Sequence, residues 1–319
     1  MRLLHLVAWM TAVGAVALGG GTASGQNFPA KPIRVVTAEV GGGNDFAARV
    51  VAQGLSGLGQ PVVVDNRPSG VIPGSIVSKA PPDGYTLLAY GVSLWVAPLL
   101  QDDIPYDPVR DFAPVTLVAN SPGVLVVYPG LPVKSAGELI ALAKSRPGYL
   151  NYASTSTGSP PHLAAELFKF MAGVDIVRIL YKGMGPAIID LMSGQVHVAF
   201  GTASSATPHI KSGKLRALAV TSARPTAVFP GLPTLASTLP GYDAGSTYGV
   251  FVPAKTPAAI VNRLNREIVR HLQTAEVKER FLNVGVDVVG SSPAELAAAV
   301  RSDRERLGKM IKDAGIKAN

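Results

Sequence analysis

The chain has 319 residues, 47% of them hydrophobic and only 16% charged, so it can bury a sizeable core and is not a disordered protein. Its net charge of +8 is spread over Lys and Arg residues that form no basic run and do not interleave with aromatics. That pattern argues against a nucleic-acid partner and suits a mild field that attracts small anions. The absence of cysteine excludes disulfides, thiolate chemistry and a lipid anchor on an N-terminal cysteine.

The first 25 residues read as an export signal. Arg2 supplies the charged start and Leu3 to Leu18 is mostly apolar. Ala23 and Gly25 stand at the −3 and −1 positions of a cleavage site before Gln26. The apolar stretch is short for a membrane span, and no later segment is long and apolar enough to cross a bilayer. An exported chain without cysteine points to the bacterial periplasm.

Beyond the signal, strands are expected at 33–38, 61–65, 85–90, 124–128, 150–153, 176–181, 196–201, 215–221 and 248–252. Runs such as Val62-Val63-Val64 and Val124-Leu125-Val126-Val127 suit strands covered on both faces, and their alternation with helical patterns predicts α/β layers. Ser135-Ala136-Gly137-Glu138 and Ser292-Pro293-Ala294-Glu295 are capping boxes that open helices. Thr256-Pro257 opens another, with Ile260, Leu264, Ile268 and Leu272 as its core stripe. Two apolar strands end in proline, at Tyr128-Pro129 and at Val252-Pro253. They predict a discontinuous first lobe, 27–128 with 249–319, an inserted second lobe, 129–248, and a hinge between them.

Two stretches share one design of strand, small-residue loop and helix start. The first runs from Ile33-Arg34-Val35-Val36-Thr37 through Val40-Gly41-Gly42-Gly43-Asn44-Asp45. The second runs from Leu150-Asn151-Tyr152-Ala153 through Ser154-Thr155-Ser156-Thr157-Gly158-Ser159 to His162. Loops of this kind place backbone N–H groups beside the positive end of a helix, which suits an anion. Two of them facing each other across a cleft would grip a small anionic molecule. The glycines do not follow the dinucleotide pattern G-x-G-x-x-G. Asp45 is expected to act mainly as a helix cap.

Several segments together resemble the extracytoplasmic substrate-binding proteins of tripartite tricarboxylate transporters, the Bug receptors. They include Lys31-Pro32-Ile33-Arg34-Val35-Val36, Gly42-Gly43-Asn44-Asp45 and Gln60-Pro61-Val62-Val63-Val64-Asp65-Asn66-Arg67-Pro68. Ala80-Pro81-Pro82-Asp83-Gly84-Tyr85, Pro105-Tyr106-Asp107-Pro108, Tyr181-Lys182-Gly183 and Gly213-Lys214-Leu215-Arg216-Ala217 continue the match. The resemblance implies a two-lobed type II periplasmic-binding fold, each lobe a mixed sheet flanked by helices, the two joined by hinge strands. It implies a monomer without cofactor that binds a small carboxylate between the lobes and serves inner-membrane transporter subunits. The binding residues it implies are Val40, Gly41, Gly42, Gly43, Asn44 and Asp45 from the first loop, and Ser154, Thr155, Ser156 and Gly158 from the second. Tyr181 is a further wall candidate; Ser93, Thr202 and Ser204 are weaker ones, and Lys182 is a less favoured carboxylate partner.

The chain departs from that family where the ligand is held. Thr37-Ala38-Glu39-Val40 replaces a run of proline, aromatic and proline, and Ala153 and Ser156 stand where glycines are common. A carboxylate at Glu39 repels a bound carboxylate by about 1 kcal/mol at 4 Å in water. Glu39 therefore either faces solvent or pairs with a cationic group, which extends the ligand classes to an amino acid or an amide. The five histidines lack metal-ligand spacing, and no G-x-S-x-G elbow exists. No catalytic machinery is expected. The rival functions are a signalling receptor and, less favoured, a hydrolase using Ser154 or Ser156.

Overall fold

The computed structural model describes residues 28–226, 228–313 and 315–316, so the expected signal lies outside the described residues. The first sheet begins with β1 (Ile33–Thr37), β2 (Val62–Asn66) and β3 (Thr86–Gly91), all parallel. Parallel neighbours need crossover connections, here α1 (Gly43–Ser56) and α2 (Ile72–Ser78). Ile33, Val35 and Val36 are wholly buried, as a strand covered on both faces requires. Helix α3 (Ser93–Leu100) follows β3.

Strand β4 (Phe112–Val127) belongs to both sheets. Its first part, to Pro122, pairs with β9 (Gly245–Pro253), and Ala119 and Asn120 pair with β10 (Asp287–Val288). From Gly123 onward it pairs with β7 (Val198–Thr202) and β8 (Arg216–Val220). The sequence predicted only 124–128. Pro114, Asn120 and Pro122 break the apolar pattern, and the strand accommodates this by shifting register between Pro114 and Thr116 and between Leu117 and Ala119. The second sheet is completed by β5 (Asn151–Ser154), parallel to both β6 (Val177–Leu180) and β7. Its helices are α4 (Ala136–Ser145), α5 (Pro160–Ala172), α6 (Met184–Ser193) and α7 (Ala203–Lys211). The chain then adds β9 between β3 and β4, and ends with α8 (Ala258–Leu272), α9 (Ala275–Asn283) and α10 (Pro293–Asp313). The architecture is a two-lobed type II binding fold.

The expected caps form. Ser135 Oγ accepts from Glu138 N, while the Glu138 carboxylate accepts from Lys134 N, one residue before the cap. Ser292 and Glu295 cap reciprocally: Ser292 N donates to Glu295 Oε2 at 2.7 Å and Glu295 N donates to Ser292 Oγ at 3.3 Å. Ile260, Leu264, Ile268 and Leu272 are buried along α8. One apolar cluster joins Tyr90, Trp95 and Phe251 in the first lobe, and another joins Leu125, Tyr152, Phe168 and Tyr242 in the second. A third runs through both lobes, from Val35 and Leu264 to Ile188 and Ala199, so burial continues across the junction.

Candidate functional site

The loop after β1 is fixed by one carboxylate. Asp45 is buried; it accepts from Gly41 N at 3.1 Å and from Asn66 Nδ2 at 2.8 Å, and it pairs with Arg49 at 3.0 Å. It ties the loop back to α1 from the helix's first turn, and its lone pairs are spent on the protein. Gly41 has φ +90°, a conformation that favours glycine. Gly43 lies against the Tyr248 phenol, where a Cβ would collide with the ring. Val40 is exposed, and Gly42 caps α1 without a side-chain bond. Asn44 Oδ1 is buried and has no protein partner.

The second loop is held by Arg178, on β6, which donates to Thr155 O at 3.0 Å and to Thr157 Oγ1 at 3.3 Å. Gly158 has φ +75° and donates its N–H to His162 Nδ1 at 3.1 Å. Burial and the nearby Arg178 hold the His162 pKa down at about 4, so the imidazole is neutral and its Nδ1 acts as an acceptor. Ser159 is the N-cap of α5, but Pro160 and Pro161 follow it. Neither proline has an N–H, so the first turn offers fewer amides than an ordinary helix start. Beside that turn, Ser156 Oγ and Ser159 Oγ are buried with no protein partner. Ser154 and Thr155 are buried, and Ser154 Oγ donates to the carbonyl of Thr155.

The lobes touch around these loops. Ser93 Oγ donates to Gly158 O at 3.3 Å, so this hydroxyl is used between lobes. A Cβ on Gly70 would lie 3.5 Å from Ser156 Cβ. Glu39 reaches across to Gly183, its Cγ 2.5 Å from where a Cβ would stand, while its carboxylate accepts from Ser69 Oγ. Thr202 Oγ1 lies 3.2 Å from Ser204 Oγ and 3.1 Å from Ser205 Oγ at the start of α7. The Tyr181 hydroxyl turns along α6 to donate to Asp190 at 2.8 Å; burial first and then this bond raise its pKa to about 12. Lys182 is exposed.

Sequence reasoning gave Arg178, Ser69 and Tyr248 no role in the site. Arg178 sits on a short edge strand whose pattern gives no hint of what lies behind it. Tyr248 is read from sequence only as part of a hinge strand, yet its hydroxyl is buried beside the first loop with no protein partner. A groove of about 430 Å³ lies where β4 and β9 cross between lobes, lined by Ser121, Ser246, Arg224, Asp243, Asp287 and Arg306 among others. Among the described residues no cluster of three or more His, Cys, Asp or Glu could hold a metal, and no helix is long and apolar enough to cross a membrane.

Residues 47–316 match the family described as tripartite tricarboxylate transporter family receptor. Protein BugT of Bordetella pertussis is 37% identical over 323 residues, covering 99% of this chain and 98% of its own. Among solved structures, R. palustris Rpa4515 with adipate is 36% identical with a TM-score of 0.87, covering 91% of this chain and 99% of that one. MatC from Rhodopseudomonas palustris with bound malate is 30% identical with a TM-score of 0.85, covering 89% and 100%. With its two lobes in contact around two polar loops, the chain belongs to the tripartite tricarboxylate transporter receptor family and is a solute-binding receptor, not an enzyme.

Proposed function

We propose that this receptor works in the bacterial periplasm after removal of residues 1–25, captures a small carboxylate between its lobes, and delivers it to the membrane subunits of a tripartite-type transporter. One observation carries the reading: where the lobes meet, Asn44, Ser156, Ser159 and Tyr248 keep buried polar atoms without protein partners. Such atoms are costly unless something satisfies them, and a ligand held between lobes does so. The ligand-contact set we propose is the first loop, 40–45, with Ser154, Thr155, Ser156, Gly158 and Ser159, flanked by Tyr181, Thr202, Ser204 and Tyr248. Ser93 supports it from behind Gly158. An amino acid or amide joins the carboxylates as a candidate ligand because Glu39 stands at the rim.

We further place the lobe junction at 122/123 and 244/245, earlier than Tyr128 and Tyr248. β4 changes partners at the first point, and at the second the chain passes from a bond with Thr221 O to pairing with Pro122. Closure is favoured only as far as a ligand binds the closed arrangement better than the open one. A thermal-shift screen of mono-, di- and tricarboxylates, amino acids and amides tests the reading, together with mass spectrometry of co-purified ligand. A member of one of these classes is expected to raise Tm; no shift from any of them, and no small acid co-purifying, counts against it.

A further inference from the structure

The interlobe space is electrically lopsided. Behind the second loop stands Arg178, whose Nη atoms hold Thr155 O and Thr157 Oγ1, while its Nε is buried without a partner. No salt bridge to Arg178 occurs among the described residues. The same loop carries the unpartnered hydroxyls of Ser156 and Ser159, the latter 4% exposed. This end supplies donors and positive potential, which is what a single carboxylate needs. At the other end is Glu39, held by Ser69 Oγ, its side chain against Gly183 at the N-terminus of α6. Ser69 adjoins Gly70, where a Cβ would lie 3.5 Å from Ser156 Cβ, so the loop that holds Glu39 meets the second loop. The other carboxylate of the first loop, Asp45, is neutralised by Arg49 and bonded to Gly41 and Asn66. Among the described residues Glu39 has no cationic side chain within salt-bridge distance, so its charge is left to act on what enters the space.

We propose that Glu39 sets ligand class: the receptor takes an amino carboxylate, with its carboxylate at Ser156 and Ser159 before Arg178 and its ammonium group at Glu39. The proposal rests on the reading of the interlobe space as the binding site and deepens it. A second carboxylate at the Glu39 end meets like charge and the filled space beside Gly183. An ammonium group there makes a charge-assisted bond. A neutral amide makes a weaker one. Ser69 is a positioning residue, because it holds Glu39 without facing the ligand's charge itself.

Isothermal titration calorimetry on the mature chain tests this with length-matched sets: γ-aminobutyrate against succinate and succinamate, and 5-aminovalerate against glutarate and glutaramate. The wild type is expected to bind an amino carboxylate about tenfold or more tightly than its dicarboxylate and half-amide counterparts. Glu39→Gln is expected to erase that preference by weakening the amino carboxylate and strengthening the dicarboxylate. Ser69→Ala, which keeps every charge, is expected to reduce the preference in part, and Arg178→Lys to weaken all classes alike. Circular dichroism confirms that each variant folds. Dicarboxylates binding the wild type more tightly, or Glu39→Gln lowering all affinities equally, overturns the assignment of Glu39 and leaves the receptor reading intact. If no carboxylate of any class binds, the interlobe-site reading itself falls.

Discussion

The Tyr248 hydroxyl is buried against Gly43 and has no protein partner, and burial pushes its pKa up to about 12. Tyr248→Phe removes a desolvated group whose contacts with the Ser246, Thr202 and Ser121 side chains fall short of well-formed hydrogen bonds. The ligand-free protein is expected to keep its stability or gain up to about 1 kcal/mol. Ligand affinity, by contrast, is expected to fall severalfold; chemical denaturation and calorimetry on the same variant separate the two effects. His162 offers a pH signature. Its folded pKa of about 4 lies below the ordinary 6.5, so as pH falls the unfolded chain takes the proton first. The stability this residue contributes is complete above about pH 6.5, declines between 6.5 and 4, and is flat below; the span is on the order of 3 kcal/mol. Urea midpoints of wild type and His162→Gln across that range are expected to converge towards pH 4, and a constant difference refutes the assignment.

At the scale of elements, much was legible in the sequence because strands and caps are local. The branched apolar runs became β1, β2 and the last part of β4, the serine–glutamate spacing became caps, and the four-residue apolar recurrence became the buried stripe of α8. Ser292→Ala is expected to cost about 1 kcal/mol, read by calorimetry, because it removes the acceptor for Glu295 N and the hydroxyl bonded to the Glu295 carboxylate. What escaped was non-local. The first half of β4 is broken by Pro114, Asn120 and Pro122, and its place between β9 and β10 makes it a strand. β10 has two residues, too few for any periodicity. In the site, the small-residue loops were visible, but Ser93 bonding Gly158 and Glu39 resting on Gly183 join residues remote in sequence, and no spacing rule reaches that far. The consecutive prolines of α5 were legible in the sequence, and they leave the first turn of that helix with fewer free amides.

Across the whole molecule, the two lobes are linked by β4 and by the approach to β9, and they are also tied by side chains. Arg306 on α10 donates to Asp243 O at 3.3 Å and stands 3.9 Å from the Asp243 carboxylate, beside the groove at the strand crossing. A pair this exposed contributes less than about 1 kcal/mol to stability. It spans the junction, however, so its removal acts on the balance between open and closed forms. Arg306→Ala is expected to leave the unfolding midpoint nearly unchanged and to alter the radius of gyration of the ligand-free protein in small-angle X-ray scattering. An unchanged scattering curve sets this tie aside.

The position of β9 between β3 and β4 bears on the order in which the two sheets can be completed during synthesis. The middle of the polypeptide, from Gly123 to Ala244, holds a whole sheet and can consolidate as soon as it emerges. The sheet begun at Ile33 has a gap until Gly245–Pro253 arrives to fill it. The amino-terminal segment is therefore the earliest made and the latest finished, and a chain cut short before Gly245 leaves β3 and the first half of β4 with bare edges open to aggregation.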